Sequence, residues 1–218
     1  MTLAIEAPVT RIRAGTVTLE GVLEIPAHAS GVVVFSHGSG SGRHSPRNQF
    51  VSAELRRAGL GTLLLDLLTV EEDRVYETRF DIHLLTARLG HAVSFLRGKA
   101  ARLPIGLFGA STGAASALRV AAAMPDEVRA VVSRGGRPDL AGAGILRAVK
   151  APTLLIVGGE DHGVIELNEA ARDALSGCMR ELVLVPGATH LFEEPGTLEE
   201  VARLASDWFS RHLQARKT

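Results

Sequence analysis

Cysteine is almost absent: Cys178 is the single one among 218 residues. That excludes an internal disulfide and fits a reducing compartment, so a cytoplasmic protein is expected. Charge of one sign is missing too, with 24 basic side chains against 24 acidic ones. Nucleic acid is therefore not expected as a partner, because phosphate binding draws on a clustered excess of Lys and Arg. No apolar run approaches the ~18–20 residues needed to cross a bilayer, so no membrane partner is expected either. Met1 to Gly15 has neither a basic start nor an apolar core, and no secretory signal is expected there. Repeats, low-complexity tracts and linkers are also lacking, which points to one domain over residues 1–218.

What is present is a globular composition, 46% apolar and 22% charged. A chain of this size buries roughly 70% of its extended surface and needs no disulfide or metal staple. Short apolar runs alternate with stretches of helical period. Thr10 to Arg13 and Thr16 to Ile25 read as a hairpin turning at Ala14-Gly15. Gly31 to Ser36 and Gly61 to Asp66 are continuous apolar runs of the kind buried on both faces of a sheet. Between them, Ser45 and Pro46 mark a helix start, as N-cap and first helical residue, with the end near Gly59.

A polar loop, Leu67 to Phe80, precedes a long helix from about Asp81, whose Leu85, Leu89, Val93 and Leu96 share one face. Ile105 to Phe108, Arg129 to Ser133, Thr153 to Val157 and Glu181 to Val185 supply further strands. Thr197, three residues before Glu200, predicts a capping box opening the last helix, which buries Val201, Leu204, Ala205 and Trp208. The class is α/β: a mostly parallel sheet, covered by helices on both faces and led by an antiparallel hairpin. In such sheets ligands sit at the carboxyl ends of the strands.

At that edge Gly109-Ala110-Ser111-Thr112-Gly113 fits G-x-S-x-G between a strand and a helix. A serine on a sharp, strained turn exposes its hydroxyl, and flanking glycines let strand and helix approach. Serine is a weak nucleophile at neutral pH and needs a base, which in turn needs an orienting acid. His190 follows the strand ending at Val185, and Asp161 follows the strand ending at Val157, with Glu160 as competitor for the acid. The order Ser111, Asp161, His190 is that of an α/β-hydrolase triad. The glycine-rich loop His37-Gly38-Ser39-Gly40-Ser41-Gly42 follows an earlier strand. The N–H groups of Ser39 and Thr112 are the expected oxyanion donors, each worth roughly 2.7–4 kcal/mol in the transition state. His37 reads as structural, holding that loop.

With these motifs the sequence resembles the α/β-hydrolase superfamily, and more narrowly its small, lidless, dienelactone-hydrolase-like members. The resemblance runs from about Arg11 to His212. It implies an eight-stranded sheet and hydrolysis of a small-molecule ester or lactone without metal or cofactor. One position departs: dienelactone hydrolases proper carry cysteine where this chain has Ser111, which favours a serine esterase. Serine there also excludes the aspartate-nucleophile dehalogenases and epoxide hydrolases. Arg134 to Pro152 holds one helix and leaves no room for a lid domain.

Arg43, Arg47 and Arg134, with Arg137, fall after strands and are candidates for binding a substrate carboxylate, since arginine forks pair with it bidentately. His162, beside the acid, is a candidate pocket wall, and Cys178 reads as inert. The same triad serves lactones, thioesters and C–C bonds, and the fold also serves non-catalytic binding proteins. Pocket shape chooses among them, and the sequence carries no signal for an oligomeric state.

Overall fold

The computed structural model describes residues 8–214. Eight strands, β1 (Val9–Ala14), β2 (Val17–Glu24), β3 (Val32–Ser36), β4 (Gly61–Leu65), β5 (Ile105–Ala110), β6 (Val128–Arg134), β7 (Thr153–Gly158) and β8 (Arg180–Val185), form one sheet. Their order is β1-β2-β4-β3-β5-β6-β7-β8. β1 and β2 pair antiparallel, as do β2 and β4; every other pair is parallel. The sheet matches the expected α/β class, hairpin included.

The β-branched and leucine runs of β3, β4 and β7 form central strands because both faces are covered. On one face lie α3 (Ile82–Lys99), α4 (Gly113–Ala123), α5 (Ala143–Ala148) and α6 (His162–Ala174). On the other lie α1 (Pro46–Arg57) and α7 (Thr197–His212). Leu85, Leu89, Val93 and Leu96 of α3 are all buried, as their spacing requires. Trp208 of α7 is fully buried against the sheet.

Three local expectations are corrected. The segment Leu67 to Phe80 is not a plain loop: it holds α2 (Val70–Asp73) and a 3-10 turn, Glu77–Phe80. The capping box belongs here, with Thr69 Oγ1 accepting from the Glu72 N–H and the Glu72 carboxylate accepting from the Thr69 N–H. Thr197 is no cap. Gly196, at φ +82°, precedes α7, and the Thr197 hydroxyl donates instead to the Glu194 carbonyl at 2.7 Å. Between β6 and β7 the one helix expected is a 3-10 turn, Pro138–Ala141, followed by α5, and no lid is inserted there.

Candidate active site

Strand register brings the carboxyl ends of the central strands level: Ser36 pairs with Gly109, and Ala110 with Arg134. Ser111 leaves β5 with φ +51°, a left-handed conformation that a non-glycine residue holds only under strain. Three backbone hydrogen bonds enforce it. The Ser111 N–H donates to the Arg134 carbonyl at 3.1 Å, and its carbonyl accepts from Ala114 at 3.1 Å and Arg137 at 3.0 Å. The two motif glycines are steric necessities: a Cβ on Gly109 would lie 2.5 Å from the Ala114 Cα, and one on Gly113 would collide with the Ser36 carbonyl.

The loops after β7 and β8 are bound to each other. Gly159 N–H donates to Val185 and Glu160 N–H to Ala188, at 2.8 and 3.0 Å, and Gly158 leaves no room for a Cβ beside the Ala188 carbonyl. This coupling sets Asp161 against His190. The His190 Nδ1 lies 2.7 Å from Asp161 Oδ2, and its Nε2 lies 3.4 Å from Ser111 Oγ. Asp161 is the N-cap residue of α6, yet its carboxylate caps no helix N–H. It is turned to the imidazole instead. Glu160 is engaged elsewhere: its carboxylate is 3.8 Å from the exposed His162. Thr189 N–H and hydroxyl both donate to Glu194, pinning the His190 loop; those bonds hold the Glu194 carboxyl below its ordinary pKa.

The glycine-rich loop after β3 is anchored from below by His37. Its Nδ1 donates to the Gly38 carbonyl and its Nε2 accepts from the Leu67 N–H, which fixes a neutral ring of one tautomer. Burial pushes its pKa below the ordinary histidine value. Free His37 titrates near ~6.5, so below that pH the unfolded chain takes up a proton that the folded ring resists. Stability from this site is complete above about pH 6.5 and falls as pH drops toward the folded value. His212, also lowered by burial, acts in the same sense. The thermal midpoint is therefore expected to fall between pH 7 and pH 5, with a shallower fall in His37→Gln. Identical slopes in the two proteins would contradict the assignment.

No protein-family model matches the chain. Among solved structures, the dienelactone hydrolase of Anabaena variabilis ATCC 29413 superposes with a TM-score of 0.93 at 51% identity, covering 96% of this chain and 99% of that one. The chain belongs to the dienelactone hydrolase family. More distant folds include Est1E from Butyrivibrio proteoclasticus, with a TM-score of 0.77 at 17% identity over 93% of this chain and 98% of that one. The Pyrococcus furiosus esterase Pf2001 gives a TM-score of 0.74 at 17% identity, covering 95% and 93%. Two Mycobacterium tuberculosis proteins, described as "Putative phosphoribosyl transferase", are 56% identical over 205 residues, 93% of this chain and 46% of theirs. The chain thus spans about half the length of these curated relatives.

Within this dienelactone hydrolase fold, a cleft of about 250 Å³ opens over Ser111, walled by Ser39, Arg47, Arg134, His190 and Leu191. The arginines divide sharply. Arg43 lies outside the cleft lining: its guanidinium pairs with Asp66 and Glu20, and its N–H donates to Asp66. Arg137 pairs with Asp139 at 2.8 Å. Arg47 lines the cleft but is bonded to Glu193 at 2.7 Å, joining α1 to the His190 loop.

Arg134 is different. It is 7% exposed, faces the cleft, and has no carboxylate partner among the described residues. Its Nε is buried without an acceptor, and its guanidinium lies 5.8 Å from the Phe192 ring centre. Burial, aided by repulsion from Arg47, lowers its pKa to about 10. Sequence reasoning named this position without being able to separate it from its paired neighbours. Phe192, at φ +56° and buried, was missed, and no sequence signal marks it. Cys178 is half-buried with its thiol pKa raised by burial, in keeping with an inert role.

Proposed function

We propose that this protein is a serine hydrolase that cleaves carboxylic esters of small substrates by acyl transfer. The observation that carries the reading is the hydrogen-bonded line from Asp161 through His190 to a strained, half-buried Ser111. The carboxylate holds the proton on Nδ1, so the Nε2 lone pair faces the serine hydroxyl. A separation of 3.4 Å is loose for proton transfer, and such bonds tighten when substrate binds.

Ser111 Oγ attacks the ester carbonyl while Nε2 takes its proton, and Asp161 stabilises the imidazolium formed. The tetrahedral oxyanion lies at the corner between Ser39 and Thr112. Its collapse breaks the bond to the alkoxy oxygen, which leaves with the proton from Nε2. Water then repeats the sequence on the acyl-enzyme: His190 takes its proton, the hydroxide adds, and Ser111 leaves reprotonated. A lactone follows the same path with its leaving group still tethered. The phosphoribosyl transfer named for the mycobacterial relatives, of whose length this chain matches 46%, is not carried over, because this chain's own residues set a nucleophile, a base and an acid in line.

The cleft also supports a preference for substrates carrying a carboxylate. A buried cation without a counter-charge is costly, and an anion in the cleft would offset that cost. Arg134→Met is expected to raise the thermal midpoint, since it removes a buried charge that has no counter-charge. It should also lower kcat/KM for the mono-p-nitrophenyl ester of succinic acid by roughly 10- to 100-fold, the worth of one charged hydrogen bond. p-Nitrophenyl butyrate should be hydrolysed as before. An unchanged ratio between the two esters would remove Arg134 from substrate binding. The hydrolase reading itself is tested by turnover of p-nitrophenyl acetate and butyrate: absence of turnover in folded protein, with no fluorophosphonate adduct, would bring forward a binding protein on the hydrolase fold.

A further inference from the structure

The residue after the nucleophile has a side chain as well as an amide, and its hydroxyl is bonded to the loop expected to supply the second oxyanion donor. Thr112 is 5% exposed, with helical backbone angles of φ −58° and ψ −28°. Its Oγ1 accepts a hydrogen bond from the Ser39 N–H at 3.0 Å. Ser39 is thus not a free donor; its N–H already ends on the threonine hydroxyl. The Thr112 N–H, by contrast, meets no acceptor among the described residues.

The loop that carries Ser39 has little freedom to retreat. His37 bonds to Leu67 and to Gly38, and a Cβ on Gly38 would lie 3.0 Å from the Ser111 Cβ. The Ser39 N–H is therefore held in place against the hydroxyl, beside the nucleophile. A hydroxyl accepts and donates at once. Here its oxygen is engaged by Ser39, while its proton donates to no group among the described residues.

We propose that the Thr112 hydroxyl, together with the Thr112 N–H, donates directly to the oxyanion, and that the Ser39 N–H acts through it. This deepens the hydrolase reading and rests on it. The line runs from the Ser39 N–H to Thr112 Oγ1 and from Thr112 Oγ1–H to the developing O⁻. An N–H donated to a hydroxyl oxygen polarises the O–H beyond it, so each bond strengthens the next. A hydroxyl proton also rotates, and can follow the substrate oxygen from the planar ester to the tetrahedral adduct. Threonine fits the task because its β-branch restricts χ1 and keeps Oγ1 at the Ser39 amide. Ser39, expected from sequence to touch the oxyanion, becomes a positioning residue.

The test compares Thr112→Val, Thr112→Ala and Thr112→Ser on p-nitrophenyl butyrate, alongside inhibition by a boronic acid that forms a tetrahedral adduct with the serine. Loss of one such donor lowers kcat by about 100- to 1,000-fold. Thr112→Val and Thr112→Ala should show that loss, a KM within about threefold of wild type, and boronate affinity reduced in parallel with kcat. Thr112→Ser, which keeps the hydroxyl, should recover most of both. A role confined to packing would not make boronate affinity follow kcat.

The proposal is overturned if Thr112→Val or Thr112→Ala turns over within about threefold of wild type, which would make the hydroxyl a mere placeholder on the Ser39 N–H. It is equally overturned if Thr112→Ser falls as far as Thr112→Ala. Ser111→Ala in the same assay separates the two levels. Turnover surviving there removes the hydrolase reading itself, whereas an inactive Ser111→Ala beside an active Thr112→Val removes only this assignment.

Discussion

Ser111→Ala is expected to abolish ester turnover, lowering kcat by on the order of 10⁴- to 10⁶-fold, the loss that follows when a triad nucleophile is removed and only binding and oxyanion stabilisation remain. The thermal midpoint should scarcely move. Ser111 is half-buried, and its structural bonds run through its backbone, to Arg134, Ala114 and Arg137. The hydroxyl contributes only the long contact with His190. Ser111→Gly sharpens the test, because a glycine holds φ +51° without the strain that a Cβ carries there. That variant should be equally inactive yet more stable than wild type by about 1 kcal/mol, the low end of the strain such a residue stores. Turnover in either variant, or a collapse of stability in Ser111→Ala, would make Ser111 a structural turn residue.

Asp161→Asn carries the second large effect. An amide at this position can offer its NH₂ to the imidazole, which drives the ring proton to Nε2 and leaves no lone pair facing the serine. Triads altered in this way lose about 10⁴-fold in kcat with their geometry intact. Asp161 makes no helix-capping bond that the change would break, so stability should hold. Glu160→Gln is the paired control. Its carboxylate is exposed and faces His162, so kcat should stay within about twofold of wild type. A loss confined to Glu160→Gln would reverse the two roles.

The parts of this account legible in the sequence are those governed by local rules. β-branched runs fix central strands, Ser45-Pro46 fixes a helix start, and G-x-S-x-G fixes a strand-to-helix turn. The Ser45 hydroxyl does cap α1, accepting from the Asn48 N–H at 3.4 Å. Local rules also mislead where two sites share a pattern. Thr69 with Glu72 and Thr197 with Glu200 share one spacing; the sequence points to a capping box at the second, and the structure has it at the first, because Gly196 precedes the last helix in a left-handed conformation.

Charge pairing was not legible at all. Arg43 meets Glu20 and Asp66, which lie on or just after strands brought together only by the folded sheet, and Arg47 meets Glu193, which is distant in sequence. Among the described residues Arg134 alone of the arginines near the mouth stays without a carboxylate partner, a property of the folded surroundings and not of its neighbours in sequence. The same holds for the Thr112 hydroxyl. The motif treats that position as arbitrary, and only the approach of the loop after β3 gives its side chain an amide to hold.

The measurement that most directly tests the central claim is intact-mass analysis of the protein after exposure to a fluorophosphonate, followed by peptide mapping. Activation of Ser111 by His190 and Asp161 predicts one adduct per chain, on the peptide carrying Ser111. The adduct should be absent from Ser111→Ala and should form far more slowly in Asp161→Asn and His190→Ala. No adduct on folded wild-type protein, or an adduct on another residue, would contradict the account.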